Sequence, residues 1–170
     1  MNVWLRRLSG FALAGLLLEI DQAIKLHLYW HSSIKRAPIE LLPFFRLSYV
    51  ENYGVSLGLL TADSSEMRWL LVGFTSLIAL GVAVWILRER KMPDILALAL
   101  VLGGAAGNIR DRSDRGFVMD YADLHFGDFR PFLVFNLADA AITVGVVILL
   151  ARSLLSRDKP TPAPDPAAET

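Results

Sequence analysis

The sequence predicts a mainly α-helical membrane protein with four transmembrane helices and a small antiparallel β-sheet. Three observations lead to this fold class. The 170-residue chain is 54% hydrophobic and has a mean hydropathy of +0.45, which is more apolar than an ordinary soluble domain. Its apolar residues fall in long blocks, and about 20 such residues suffice to cross a bilayer core. A segment between the first two blocks has the composition of β-strands.

Four apolar blocks are long enough to be helices. Trp69–Leu87 contains no charged residue, and Pro131–Ala151 contains only Asp139. Ile95–Ile109 is shorter but can be extended by its neighbours, whereas Leu8–Tyr29 is interrupted by charges in its second half. We therefore expect one membrane domain over residues 1–156, with helices at about 8–29, 68–88, 93–112 and 131–153.

The connection of about residues 30–66 is expected to form the sheet at the membrane surface. Pro43–Val50 is rich in aromatic and β-branched residues, and Asn52-Tyr53-Gly54 is typical of a turn. Val55–Leu60 either returns as a partner strand or enters the membrane. Thr61–Glu66 carries helix-capping residues, and residues 157–170, rich in proline, alanine and acids, are expected to be a disordered tail.

The distribution of charge predicts the orientation of the helices and excludes several functions. Arg6-Arg7, Arg88–Lys91 and the cations near the C-terminus favour a cytoplasmic location for both termini. Both long connections then lie on the outer side. Zero net charge argues against a nucleic-acid partner, and the absence of cysteine excludes disulfides and thiolate metal sites.

Two aspartates stand at positions that a membrane protein normally avoids. Asp139 lies near the start of the last apolar block, and Asp120 follows the end of the third. An ionisable residue within a spanning helix is costly and therefore indicates function. Two carboxylates that meet at one membrane boundary can carry out acid/base hydrolysis. Asp120 considered alone is as well explained as an interfacial anchor or a solvated cap at a helix end.

Other polar residues recur at helical spacing near the predicted outer helix ends. Asn108, Asp111 and Arg112 share one helix face, and Asn136 precedes Asp139 by three positions. Interfacial anchors and solvated caps are an alternative explanation for several charges, namely Lys25, Arg110, Asp114 and Arg115. The three histidines, His27, His31 and His125, are too scattered to predict a metal site.

Four motifs in this order resemble those of the bacterial lipoprotein signal peptidases, the signal peptidase II family. They are Asp21-Gln22-Ala23-Ile24-Lys25; Asn52-Tyr53-Gly54; Gly103-Gly104-Ala105-Ala106-Gly107-Asn108 with Asp111-Arg112, Gly116, Val118 and Asp120-Tyr121; and Phe135-Asn136-Leu137-Ala138-Asp139. The chain departs from the family pattern at Leu57, Arg110, Ser113-Asp114-Arg115 and Tyr121. These departures affect the expected substrate fit rather than the chemistry.

The resemblance implies an aspartic endopeptidase of the bacterial inner membrane, with a periplasmic sheet forming a cradle. It would cleave prolipoproteins before a diacylglyceryl-modified cysteine, with Asp120 and Asp139 as the catalytic pair. The implied supporting residues are Asp21, Lys25, Asn52, Gly54, Asn108, Asp111, Arg112 and Asn136. No metal or other cofactor is implied, and the expected partners are lipidated substrate and membrane lipids, with the chain itself monomeric. The alternatives are a small ion- or proton-coupled transporter and a non-catalytic scaffold.

Overall fold

A computed structural model describes residues 2–31, 33–54, 65–127 and 129–155. The helices are α1 (Val3–His31), α2 (Ser65–Arg88), α3 (Met92–Asp114) and α4 (Leu137–Leu155). The strands are β1 (Ile39–Leu42), β2 (Phe45–Asn52) and β3 (Val118–Leu124). The segment Val55–Leu60, expected to return as a partner strand or to enter the membrane, lies outside the described residues. So do most of the predicted cap before α2 and the predicted C-terminal tail.

Three helices, α2, α3 and α4, are long and apolar enough to cross a membrane in the part of the chain described. Their outward surfaces carry large apolar side chains such as Leu70, Leu77 and Val147, as expected where lipid replaces water. The sequence predicted four spanning helices. The first helix, α1, is not one of the three and carries charged residues including Glu19, Asp21 and Lys25.

The third helix, α3, is the centre of the bundle and packs against α1, α2 and α4. Two glycines allow the close approach of α1. A Cβ at Gly103 would lie 2.7 Å from the carbonyl oxygen of Ala14 in α1, and one at Gly107 would lie 2.8 Å from a carboxylate oxygen of Asp21. Any larger residue would push α1 away from α3 at the level of the polar residues.

The three strands form one antiparallel sheet in the order β1-β2-β3. The predicted strand Pro43–Val50 corresponds to β2, in which Val50 pairs with Asp120 of β3. No strand is predicted from the sequence at β3, yet the segment that carries Asp120 is a buried strand. Met119 and Tyr121 of β3 pack with Leu28 of α1, which seats the sheet against the end of that helix.

The fourth helix begins at Leu137, so the predicted start near Pro131 is wrong. The reason is that the preceding chain pairs with the sheet. Phe135 N donates to the carbonyl oxygen of Ala122 at 3.0 Å, and Ala122 N donates to that of Phe135 at 2.7 Å. Asp139 therefore lies in the first turn of α4, at the end of the bundle that carries the sheet.

Candidate active site

Three side chains accept hydrogen bonds from backbone amides in the first turn of α4 and so cap the helix. The first amides of a helix have no partner within the helix and need one elsewhere. Leu137 N donates to the Tyr121 hydroxyl at 3.3 Å, and Ala138 N donates to Asp21 Oδ1 at 3.2 Å. Asp139 N donates to Asn136 Oδ1 at 2.9 Å. Because β3, α1 and the residue before α4 each bind one of these amides, the first turn of α4 is held against both elements.

Asp120 and Asp139, the predicted catalytic pair, meet at Asn136. The Asn136 Nδ2 atom donates to Asp120 Oδ1 at 2.6 Å, while the backbone N–H of Asn136 faces Asp139 Oδ2 at 3.3 Å. The structure thus brings together a carboxylate from β3 and another from α4. The two carboxylates also interact electrostatically.

Asp120 occupies the more enclosed position of the pair. Asp120 is 2% exposed, and its second carboxylate oxygen accepts a hydrogen bond from Asn52 Nδ2 at 3.0 Å. Burial raises the pKa of Asp120 to about 7 and the charge of Asp139 adds to this effect, although the hydrogen bonds from Asn52 and Asn136 oppose it. Asp120 can therefore carry a proton near neutral pH.

Asp139 is half-buried and receives donors from two elements. Asn108 Nδ2 of α3 donates to Asp139 Oδ1 at 2.8 Å, and Asn136 N supports the other oxygen. Asn108 also accepts a long contact of 3.4 Å from Asn136 Nδ2. The predicted supporting residues Asn52, Asn108 and Asn136 thus all bind one of the two aspartates directly.

A buried ion network lies behind the two aspartates. Lys25 of α1 is completely buried, and its ammonium lies 2.7 Å from Asp21 and 2.9 Å from Asp111. Asp21 accepts from Ala138 N, and Asp111 accepts from Met119 N at 3.2 Å. The two carboxylates therefore bind the residues that immediately precede Asp139 and Asp120. The alternative explanation of Lys25 as a solvated anchor is wrong.

Two members of this network were not in the predicted site. Gln22 Nε2 donates to Asp111 Oδ1 at 2.9 Å, and Arg115 forms an ion pair with the same carboxylate. The explanation of Arg115 as a solvated surface cation is wrong, because its side chain is only 23% exposed. Its spacing of four positions from Asp111 on one helix was the sequence feature that could have identified it. Arg110 and Asp114 are exposed and pair with each other at 3.7 Å, as the surface explanation expects.

The two remaining predicted supporting residues, Arg112 and Gly54, bind each other and join α3 to the end of β2. Arg112 Nη2 donates to the carbonyl oxygen of Gly54 at 2.8 Å. Gly54 N donates to Asn52 Oδ1 at 3.1 Å, which closes an Asx-type turn as predicted for this segment. Arg112 is also close enough to Asp139 and Asp120 to interact with their charges.

The residues of the site offer carboxylates, amides and one guanidinium. Within the described ranges, no group of three or more histidine, cysteine, aspartate or glutamate residues is placed to hold a metal ion. His125 lies by Glu40 on the sheet, 3.3 Å from its carboxylate. The arrangement of a protonatable Asp120 beside a more accessible Asp139 suits the activation of water by a pair of carboxylates.

Comparison with known proteins gives a consistent result. The model of the family described as signal peptidase (SPase) II matches residues 13–155. A lipoprotein signal peptidase of Rhizorhabdus wittichii is 52% identical over 94% of this chain and 93% of its own length. One of Sphingopyxis alaskensis is 46% identical over 88% of this chain and 87% of its own length.

A solved structure shares the fold. It is described as a bacterial membrane enzyme studied by the in meso method at 2.3 Å resolution, and it superposes with a TM-score of 0.77 at 22% identity. The superposition covers 90% of this chain and 94% of that one. With the family match over most of its length and relatives of such high identity, the chain belongs to the signal peptidase II family.

Proposed function

We propose that this chain is an aspartic endopeptidase that removes signal peptides from prolipoproteins, cleaving before a diacylglyceryl-modified cysteine. The observation that carries the proposal is the joint attachment of Asp120 and Asp139 to Asn136. Family membership supports the substrate class. The relatives are named as peptidases, so the transporter alternative has no support.

The environments of the two aspartates assign their roles. Asp120, whose pKa is raised to about 7, holds the shared proton, and the more accessible Asp139 is the carboxylate base. Asp139 takes a proton from a water molecule, and the water oxygen attacks the carbonyl carbon of the scissile peptide bond. Asp120 donates its proton to the carbonyl oxygen, which forms a tetrahedral intermediate. When the C–N bond breaks, Asp139 returns its proton to the leaving amine and Asp120 recovers one from the collapsing hydroxyl.

The supporting residues keep the two carboxylates in this relationship. The network of Lys25, Asp21 and Asp111 sets the backbone on the N-terminal side of each aspartate, and Asn136 sets their side chains. Arg112 holds the turn at Gly54 over α3 and places a positive charge near the pair. Such a preorganised environment stabilises charge that develops on the substrate during the reaction.

We infer that α1 is the fourth spanning helix. Its 29 residues give a length of about 43 Å, more than the bilayer core requires. Lys25 and Asp21 neutralise each other inside the protein, so they add no charge to the lipid-facing surface. That surface instead carries apolar residues such as Leu16 and Leu26.

Both termini are then cytoplasmic in the inner membrane, and the site lies near the periplasmic surface. Arg6 and Arg7 donate to the backbone carbonyls of Arg90 and Glu89, each at 3.1 Å. The basic N-terminus and the basic α2–α3 connection therefore share one end of the bundle, which fits the preference of cations for the cytoplasmic side. The aspartates lie at the other end, where the lipid on the substrate remains in the bilayer while water reaches the peptide bond.

A cleavage assay tests this function. The full chain in detergent micelles is given a prolipoprotein carrying diacylglyceryl-cysteine and, separately, the same prolipoprotein without lipid. Loss of the signal peptide is followed by gel shift. We expect cleavage of the lipidated form alone. Folded protein that leaves the lipidated form intact, or that cleaves both forms at one rate, would exclude the proposed function.

A further inference from the structure

We propose that Arg68 binds the ester carbonyl oxygens of the diacylglyceryl group on the substrate, an inference that rests on the proposed function. Arg68 lies in the first turn of α2. The N-terminus of a helix carries partial positive charge, so a cation there is disfavoured unless another interaction compensates. The sequence alone predicts no role for this residue.

The protein makes room for the Arg68 guanidinium at the turn between α3 and β3. A Cβ at Gly116 would lie 3.0 Å from Arg68 Nη1, so a side chain there would require the guanidinium to shift by a few tenths of an ångström. Gly116 also has a φ of +88°, a conformation that favours glycine over other residues. The backbone of this turn thus favours a glycine, and the absence of a side chain leaves room for the Arg68 guanidinium.

One donor of the Arg68 guanidinium has no acceptor. Its Nε atom is buried and makes no hydrogen bond in the part of the chain described. A buried N–H without a partner is destabilising, and native proteins contain few of them. A ligand with an acceptor oxygen would satisfy this group. Arg112 Nε is in the same condition, so two guanidiniums near the site retain an unused donor.

The depth of Arg68 indicates which oxygen it meets. Its guanidinium lies 5.3 Å from the ring centre of Trp69, which is 52% exposed, and the next residue, Leu70, is 61% exposed. Tryptophan with an arginine at a helix end is typical of the boundary between lipid tails and headgroups. Ester carbonyl groups of a diacylglyceryl lipid lie at that depth.

The distance from the aspartates is also suitable. Gly116 and Asp120 are close together in the sequence. Even a fully extended backbone between them would span no more than about 14 Å. The lipid branches from the cysteine directly beside the scissile bond. Its thioether and glycerol therefore lead from the aspartates toward the boundary that Arg68 and Trp69 occupy.

The test compares two lipids and two arginine variants. Synthetic lipopeptide substrates carry either the natural diester or a diether analogue, which has the same chains without carbonyl oxygens. For the wild-type chain we expect KM to be roughly tenfold higher with the diether, the size of one charge-assisted hydrogen bond, and kcat to be unchanged. Arg68→Gln should raise KM for the diester by the same factor and leave KM for the diether unaltered.

Arg110→Gln is the matched control, because Arg110 is an exposed cation at the same end of the bundle. It should leave both KM values unchanged. Equal KM for the two lipids in the wild-type chain would overturn the proposal without any variant, and so would an Arg68→Gln effect of equal size on both lipids. If the wild-type chain cleaves neither lipopeptide, the proposed function itself fails, and this inference fails with it.

Discussion

Asn136 and Asp139 bind each other reciprocally at the start of α4. Asp139 N donates to Asn136 Oδ1 at 2.9 Å, and Asn136 N faces Asp139 Oδ2 at 3.3 Å. This is a capping box, in which the first residue before a helix and the third residue within it satisfy each other's amides. Here the residue that completes the cap is also one of the proposed catalytic carboxylates. The hydrogen bonds that cap α4 therefore also position the Asp139 carboxylate.

The double role of Asn136 leads to a prediction that separates capping from catalysis. Asn136→Asp keeps an oxygen that can cap α4 but loses the Nδ2 donor to Asp120 and adds a third carboxylate. We expect activity to fall by at least about a hundredfold, and we expect little change in Tm at low pH, where the added carboxyl group is protonated. Asn136→Ala should lose both the capping oxygen and the donor to Asp120, with a further destabilisation of about 1 kcal/mol. Wild-type kcat in the Asn136→Asp variant would show that the amide is needed only as a cap.

The raised pKa of Asp120 predicts how stability depends on pH. Between about pH 4 and pH 7, the folded state binds more protons than the unfolded state. The free energy of unfolding therefore falls as pH rises through this window and levels off above it. Asp120→Asn removes the ionisable group, so it should exceed the wild-type chain in stability at pH 8 by about 2–4 kcal/mol, with most of this advantage lost at pH 4.

The measurement is Tm in detergent at pH 4, 6 and 8 for the wild-type chain and Asp120→Asn. Asp114→Asn is the control, because Asp114 is exposed at the end of α3. A constant difference in Tm between wild type and Asp120→Asn at all three pH values would mean that the pKa of Asp120 is not raised in the folded protein.

The buried ammonium of Lys25 predicts a large effect of its removal. Lys25→Met leaves Asp21 and Asp111 buried without their shared cation, which should cost about 3–5 kcal/mol. Removing an exposed charge by Arg110→Gln should change stability by less than about 1 kcal/mol. Chemical denaturation in mixed micelles measures both. Similar losses in the two variants would show that Lys25 is not enclosed as the structure places it.

The contact between Arg112 and Gly54 predicts that a lysine cannot replace this arginine. A lysine keeps the charge near the aspartates but lacks the planar set of donors that reaches the carbonyl oxygen of Gly54. We expect Arg112→Lys to lower kcat/KM by roughly tenfold or more. Arg110→Lys, compared at equal amounts of folded protein, should match the wild type. Equal rates for both variants would make Arg112 no more than a surface charge.

The features that the sequence predicted correctly are those imposed by the membrane. An uninterrupted apolar run such as Trp69–Leu87 has few structural alternatives to a helix, because lipid offers no partners for free backbone groups. The cost of burying a carboxylate likewise singled out Asp139, whose catalytic role stays a prediction. These inferences depend on local composition alone, and local composition is what a single sequence contains.

The features that were missed depend on contacts between distant segments. The strand β3 pairs with β2 across two intervening helices, and its residues from Val118 to Ala122 are buried on both faces, so no alternating pattern marks it. The predicted start of α4 is too early because Phe132–Phe135 are as apolar as the residues of a transmembrane helix. Phe135 pairs with Ala122 of β3, and this pairing keeps the segment out of the helix.

The role of Arg115 was missed for a related reason. Its spacing from Asp111 allowed an ion pair, but nothing local distinguished a buried pair from a solvated one. The enclosure comes from Lys25 and Gln22 of α1, which converge on the same carboxylate. Charge at a helix end therefore has to be judged with the neighbouring helices in place.

The catalytic pairing of Asp120 and Asp139 is tested most directly by the initial rate of cleavage of a diacylglyceryl-modified prolipoprotein. Asp120→Asn, Asp139→Asn and the control Asp114→Asn are compared with the wild type at equal amounts of folded protein. We expect each of the first two changes to lower kcat/KM by at least about a thousandfold, because each removes one carboxylate from a pair that must exchange protons. Asp114→Asn should retain the wild-type rate. Substantial turnover by either Asp120→Asn or Asp139→Asn would contradict the proposed mechanism.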